Sequence, residues 1–75
     1  MKIKEVCVQT GLSRKTVRLY EEKGLLKPHT VRINGRDFRD YSREDVETLR
    51  TIATLRKAWF TMDEIRQMQE EGEIG

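Results

Sequence analysis

Basic and hydroxyl side chains follow one another from Ser13 to Arg18, and their types suit contact with a nucleic acid. The run reads Ser-Arg-Lys-Thr-Val-Arg and occupies the first half of a predicted short helix. Arg and Lys donate to guanine edges in a DNA major groove, and Thr reaches bases or phosphates. The candidate contacts are Ser13, Arg14, Lys15, Thr16 and Arg18. A basic helix taken alone could equally be a solvated surface helix. The segments on either side of it therefore decide between this alternative and DNA binding.

Both ends of this helix are encoded in the sequence. Ser13 is a predicted N-cap, because its hydroxyl accepts from the unpaired amides of the first turn. Leu12 before the cap and Val17 at the fourth helical position form a predicted hydrophobic staple. Gly24 suits the left-handed position after the helix, which turns Leu25 back onto the last helical turn. The basic run is therefore predicted to lie on a helix of defined length.

A shorter helix is predicted before the basic one. Its apolar face follows the spacing i, i+3, i+4, i+7 and comprises Ile3, Val6, Cys7 and Thr10. Gly11 ends this helix and leaves only a tight turn before Ser13. Helix, glycine turn and capped basic helix form the helix-turn-helix arrangement, in which the first helix braces the second.

A β-hairpin is predicted after the single proline, which prevents the helix from continuing. Asn34-Gly35 is typical of a two-residue type I′ turn. This register places Val31 opposite Phe38 on the face expected to pack inward, and Arg32 opposite Asp37 on the other. A basic hairpin beside a basic helix suits a wing that touches phosphates or the minor groove. Basic residues that protect strand edges from aggregation are the alternative. The exposed arginines of the hairpin are Arg32, Arg36 and Arg39.

Two further helices are predicted, and both begin at recognisable caps. Ser42 and Thr61 are each followed three residues later by an acid, which is the pattern of a capping box. Gly72 is expected to end the second of these helices, with residues 70–75 as a frayed tail. Trp59 lies in the corner between the two helices. It is either a core aromatic that closes this corner or an exposed group on a second DNA-facing corner beside Arg56 and Lys57, and partial burial is expected.

Charge is distributed unevenly along the chain. Residues 1–43 hold eleven Lys and Arg against five Asp and Glu, whereas residues 44–75 hold four against eight. A basic half beside an acidic half indicates an oriented face for a polyanion, most simply a nucleic acid. Acidic phospholipid is a weaker hypothesis, since no helix pairs a basic face with large exposed apolar residues.

Length and composition limit the remaining classes. A chain of 75 residues is expected to form one small domain, residues 1–75. It contains no apolar run long enough to span a membrane and no signal peptide. One cysteine, Cys7, cannot form an internal disulfide, so a cytoplasmic location is expected. Neither a catalytic nucleophile–base pair nor a set of metal ligands is present, so we expect no enzyme, no cofactor and no metal site.

Taken in order, these residues resemble the N-terminal DNA-binding domain of the MerR family of bacterial transcriptional regulators. Each matching segment is weak by itself, but the ordered set is specific and covers nearly the whole chain. The segments are Gly11-Leu12-Ser13, Thr16 to Glu21, Gly24-Leu25-Leu26, Phe38 to Ser42 and Phe60 to Ile65.

The resemblance implies a mainly α fold, a winged helix-turn-helix followed by a helix pair that acts as a second wing. Its parts would be a helix-turn-helix in 1–26, a two-stranded wing in 27–41 and the helix pair in 42–71. It also implies site roles. Arg18 would reach base edges or phosphates with support from Tyr20, Arg39 and Tyr41 would hold the DNA backbone, and Arg56 would lie near the second wing.

The same resemblance implies partners. Family members bind a promoter as dimers, and they distort the DNA so that its promoter elements realign for RNA polymerase. They usually continue into a dimerising helix and an effector domain. We therefore expect this chain to hold the DNA reader without the sensor and to bind half-sites weakly as a monomer.

Three positions depart from the family pattern. Leu19 stands where an aromatic residue is usual, which puts one backbone contact in doubt. Phe38 replaces a tyrosine of the wing. Trp59 occupies the position of a common glycine, so the corner between the last two helices must differ or tolerate strain.

Two other functions are compatible with the sequence. An excisionase-like architectural protein would also be small and winged, and would bend DNA at tandem or asymmetric sites instead of inverted repeats. A protein-interaction module would use the acidic helices, with Trp59 and Met68 as anchors, and would fail to bind duplex DNA at low salt.

Overall fold

The chain forms four helices and one β-hairpin, and the computed structural model describes residues 1–74. This is a mainly helical, winged helix-turn-helix arrangement, and the fold predicted from the sequence is confirmed. The elements are α1 (Ile3–Thr10), α2 (Arg14–Glu22), β1 (His29–Ile33), β2 (Arg36–Asp40), α3 (Arg43–Lys57) and α4 (Met62–Glu70).

The hydrophobic core draws on all four helices and on the segments that enter and leave the hairpin. No strand residue belongs to it. The buried side chains are Val6, Val17, Tyr20, Leu25, Leu26, Tyr41, Val46, Leu49, Ile52 and Ile65. Because the core lies behind α2, the polar face of that helix stays open to solvent.

Helix α2 begins and ends as its sequence predicts. Its N-cap Ser13 accepts a hydrogen bond from the Thr16 amide at 3.1 Å. At the other end Gly24 has a φ of +78°, and its amide donates to the Glu21 carbonyl at 3.0 Å. The Leu25 amide donates to the Tyr20 carbonyl at 2.9 Å, which completes a Schellman motif and brings Leu25 into the core.

The hairpin has the predicted register but not the predicted burial. Val31 pairs with Phe38 and Arg32 with Asp37 around a turn in which Asn34 has a φ of +51°. However, Val31 is 39% and Phe38 37% exposed, so the expectation that this pair packs inward is wrong. The hairpin is a sheet of only two strands, and all ten of its strand residues are exposed.

Capping boxes start both later helices, as predicted from Ser42 and Thr61. Gly72 ends α4 as predicted, since its φ is +75° and its amide donates to the Gln69 carbonyl at 3.2 Å. The predicted frayed tail is wrong in part, because Glu70 is still helical and Ile74 packs against the core. Gly75, the last residue of the predicted tail, lies outside the described residues.

The corner between α3 and α4 places Trp59 in an unusual conformation. Its φ is +71°, in the left-handed region, and its side chain is 90% exposed. Partial burial of this residue was therefore a wrong expectation. The Trp59 amide donates to the Arg56 carbonyl and the Phe60 amide to the Leu55 carbonyl, each at 3.1 Å. These are the bonds of a Schellman motif, so the corner keeps glycine geometry while a bulky residue occupies the glycine position.

Replacing Trp59 with Gly is expected to stabilise the protein. The left-handed conformation costs an L-residue roughly 1–2 kcal/mol, and the added chain entropy of glycine offsets part of the gain. We expect a net increase of about 1 kcal/mol in the free energy of unfolding, or about 4–8 °C in Tm, measured by circular dichroism. Trp59→Ala is the control, because it removes the indole but keeps the strained Cβ. Equal stability of the two variants would contradict the strain argument.

Candidate nucleic-acid interface

The outer face of α2 carries unneutralised positive charge. Arg14, Lys15 and Arg18 are exposed, and none of them forms a salt bridge within residues 1–74. Thr16 is half-buried, and its hydroxyl accepts a hydrogen bond from the Ser13 hydroxyl at 3.0 Å. The two hydroxyl residues therefore organise the helix start, while the three cations are available to a ligand.

A cleft between α2 and the hairpin brings several predicted site residues together. Arg18 from α2 lines it, as do Arg39 from β2 and Tyr41 just after that strand. Lys2 lines the same cleft and has its Nζ 5.6 Å from the centre of the Phe38 ring. Asp37 of β2 also lines it, so an anion that entered here would meet one carboxylate beside cations from three separate segments of the chain.

Glu21 joins the helix to the hairpin at this cleft, and the sequence analysis did not identify it. Its Oε2 lies 2.8 Å from the Arg39 Nε in a salt bridge, and its Oε1 accepts a hydrogen bond from the Tyr41 hydroxyl. The Glu21 side chain is only 9% exposed. One signal was available in the sequence, because Glu21 lies four residues after the core residue Val17 and therefore on the buried side of the helix. A carboxylate on that side needs a partner.

Both predicted tyrosine contacts are buried side chains. Tyr20 is 6% and Tyr41 1% exposed. Tyr20 packs in the core behind α2, and the Tyr41 hydroxyl donates a hydrogen bond to the Glu21 carboxylate. Burial, followed by the hydrogen bond to Glu21, raises the pKa of Tyr41 well above its ordinary value.

The three hairpin arginines are in different states. Arg32 is paired across the strands with Asp37, with its Nε 3.0 Å from Oδ1 and its Nη2 3.4 Å from Oδ2. Arg36 begins β2 beside the turn, is exposed and has no salt bridge in the described part of the chain. Arg39 is held by Glu21. Among the described residues, Arg36 is thus the one hairpin arginine without a salt bridge, and Arg39 is the one paired with a largely buried carboxylate.

Arg56 lies apart from the cleft, in the last turn of α3. Its Nη1 donates to the Phe60 carbonyl at 2.9 Å, which helps to close the corner that carries Trp59. No group of three or more His, Cys, Asp or Glu side chains in residues 1–74 has the arrangement of a metal site.

Comparison with known proteins identifies similar chains. The family model described as "MerR HTH family regulatory protein" matches residues 1–72. The transcriptional regulator CueR of Yersinia pestis is 38% identical over 68 residues, which cover 91% of this chain and 48% of the relative. HmrR of Rhizobium leguminosarum bv. viciae is also 38% identical over 68 residues, covering 91% and 50%. The chain thus spans about half the length of the curated relatives it matches.

A solved structure resembles the whole chain. The lead(II) complex of the transcription regulator PbrR691 from Ralstonia metallidurans CH34 superposes with a TM-score of 0.81 at 34% identity. The alignment covers 100% of this chain and 59% of the other.

Stability above pH 10.0, the ordinary pKa of tyrosine, is expected to depend on Tyr41. The raised pKa means that the folded state keeps a proton that the unfolded chain loses, so the free energy of unfolding falls as pH rises in this range. This residue adds at most about 1.4 kcal/mol per pH unit to the slope. Urea unfolding followed by circular dichroism on both sides of that pH should show a shallower decline for Tyr41→Phe. Parallel declines in the two proteins would contradict the assignment.

Proposed function

The chain belongs to the MerR family of helix-turn-helix regulatory proteins, and on that premise we propose that it is the sequence-reading DNA-binding domain of a bacterial transcriptional regulator. The observation that carries the proposal is the outer face of α2. Three exposed cations there have no salt bridge within residues 1–74, on a helix whose opposite face is anchored in the core. Such a helix fits a major groove as a recognition helix.

The proposed contacts divide by the part of the DNA that they reach. Arg14, Lys15, Thr16 and Arg18 of α2 read base edges, where Arg and Lys favour guanine. The hairpin arginines Arg32, Arg36 and Arg39 contact phosphates and set the register of the helix.

The other predicted site residues have supporting roles in this proposal. Ser13 caps α2, Tyr20 anchors it, and Tyr41 holds Glu21 in place. Arg56 closes the corner of the helix pair, which forms a second wing on the DNA. Affinity would come largely from phosphate contacts and would fall as salt rises.

The domain would work as three parts, with a helix-turn-helix in 1–26, a wing in 27–41 and a helix pair in 42–71. In a longer protein, pairs of such domains would dimerise on a promoter and act on RNA polymerase indirectly, through the shape of the DNA. This chain by itself would bind one half-site as a monomer, in the cytoplasm and without catalysis. Within residues 1–74, no helix has the length and apolar character to cross a membrane.

Selection of binding sites from random-sequence duplex DNA, at low and moderate salt, tests the proposal. Recovery of a short half-site, often within an inverted repeat, is the expected result. Tandem or asymmetric sites would instead support an architectural, excisionase-like protein. No enrichment at either salt concentration would refute DNA reading and direct the search to a protein partner.

Arg18→Ala is expected to weaken binding to the selected site far more than binding to unrelated duplex. A good base contact contributes about 1–3 kcal/mol of discrimination, whereas loss of one phosphate contact weakens both duplexes alike. The measurement is fluorescence anisotropy with labelled duplexes of both kinds. Lys4→Ala in α1 is the control, since it removes the same charge from an exposed side chain that is not among the proposed contacts. Equal losses on the two duplexes would mean that Arg18 does not read bases.

A further inference from the structure

We propose that Glu21 is a positioning residue of the DNA interface, which holds the guanidinium of Arg39 at the angle needed to meet a phosphate. The inference rests on the proposed function and adds a residue and a mechanism to it. It assigns a carboxylate a favourable role in binding a polyanion, which is the opposite of what its charge alone would produce.

The geometry of the salt bridge leaves part of Arg39 available. Glu21 engages the guanidinium through Nε, at 2.8 Å, from the side of the helix. The Arg39 side chain is still 49% exposed, and the salt bridge contacts it at Nε. An arginine fixed by one edge presents its remaining N–H groups in a set direction, which suits bidentate contact with a phosphate.

Glu21 itself is fixed from both sides. Its backbone lies in the last turn of α2, where the Schellman motif at Gly24 sets the end of the helix. Its second oxygen accepts from the hydroxyl of Tyr41, whose ring is buried in the core. The direction of the Arg39 guanidinium is therefore tied to the recognition helix and not only to the exposed hairpin that carries it.

Glu21 is expected to raise the affinity for DNA because it orders the Arg39 side chain before binding. A free arginine on an exposed two-stranded hairpin loses side-chain entropy when it binds, and this loss weakens binding. The Glu21 pair meets that cost during folding. The negative charge of Glu21 would by itself repel the DNA. Arg39 neutralises this charge in the salt bridge, so the repulsion is small.

Glu21→Gln and Glu22→Gln form a matched pair of variants for the test. The two residues are adjacent in α2 and lose the same charge, but Glu22 is exposed and has no salt bridge in the described residues. Affinity for the selected half-site duplex is measured by anisotropy over a series of salt concentrations. Glu21→Gln is expected to bind roughly tenfold more weakly, the lower end of the contribution of a hydrogen bond to a charged group. Glu22→Gln is expected to bind as tightly as the natural chain or slightly more tightly.

The salt dependence separates positioning from a general structural effect. Loss of one phosphate contact reduces the slope of log K against log salt by about 0.9, and Glu21→Gln should show this reduction. Arg39→Gln should show the same reduction, and the double variant should bind no more weakly than Arg39→Gln alone. Arg39→Lys keeps the charge but lacks the guanidinium Nε, so it should also bind weakly. This variant keeps Glu21 and therefore still tests the proposal if Glu21→Gln does not fold.

Three results would overturn the proposal. These are equal or tighter binding by Glu21→Gln, an unchanged salt slope, and additive effects in the double variant. Folding of every variant is checked by circular dichroism, so that weak binding by an unfolded chain is not counted. A natural chain that binds no duplex at all would refute the proposed function, and this inference with it. A natural chain that binds a selected site while Glu21→Gln binds equally well would refute this inference alone.

Discussion

The hairpin has no core of its own, and its placement beside α2 depends on a few contacts at its base. Every residue of both strands is exposed. Below the strands, the buried ring of Tyr41 fixes the exit of β2, and the Tyr41 amide donates to the Met1 carbonyl at 2.8 Å. Glu21 adds the link from α2. Two strands alone are marginal in water, so these contacts decide both whether the wing is ordered and where it points.

Short helices impose a related constraint on the rest of the chain. Helices of eight or nine residues, such as α1, α2 and α4, are too short to be stable alone in water. They persist because caps satisfy their ends and because each buries a stripe in one common core. Because caps and the buried stripe stabilise α2, the side chains on its outer face are not needed for folding. That face can therefore carry three exposed cations that form no salt bridge within residues 1–74.

Much of the fold could be predicted because its signals are local. Ser13, Ser42 and Thr61 cap helices through atoms three residues away, and the Asn-Gly turn sets the strand register. The burial of Val31 and Phe38 was predicted wrongly because alternation identifies the two faces of a strand but not whether another layer covers one of them.

Two other features depend on tertiary structure. Trp59 was expected to be partly buried, whereas the hydrogen bonds of the corner place it in the left-handed region with its side chain exposed. The Glu21–Arg39 pair joins residues that are far apart in sequence, and only the fold brings them together. The recognition helix was therefore predictable from sequence, but the link that orients its wing was not.

Trp59 also has a spectroscopic consequence. It is the single tryptophan of the chain, and its indole is 90% exposed in the folded state. Its emission should therefore resemble that of the unfolded chain, so intrinsic fluorescence will report little of the unfolding transition. Because unfolding changes its emission little, the indole can serve as a probe of binding. A blue shift or quenching on addition of another macromolecule would report an approach to the α3–α4 corner and not a change in the fold.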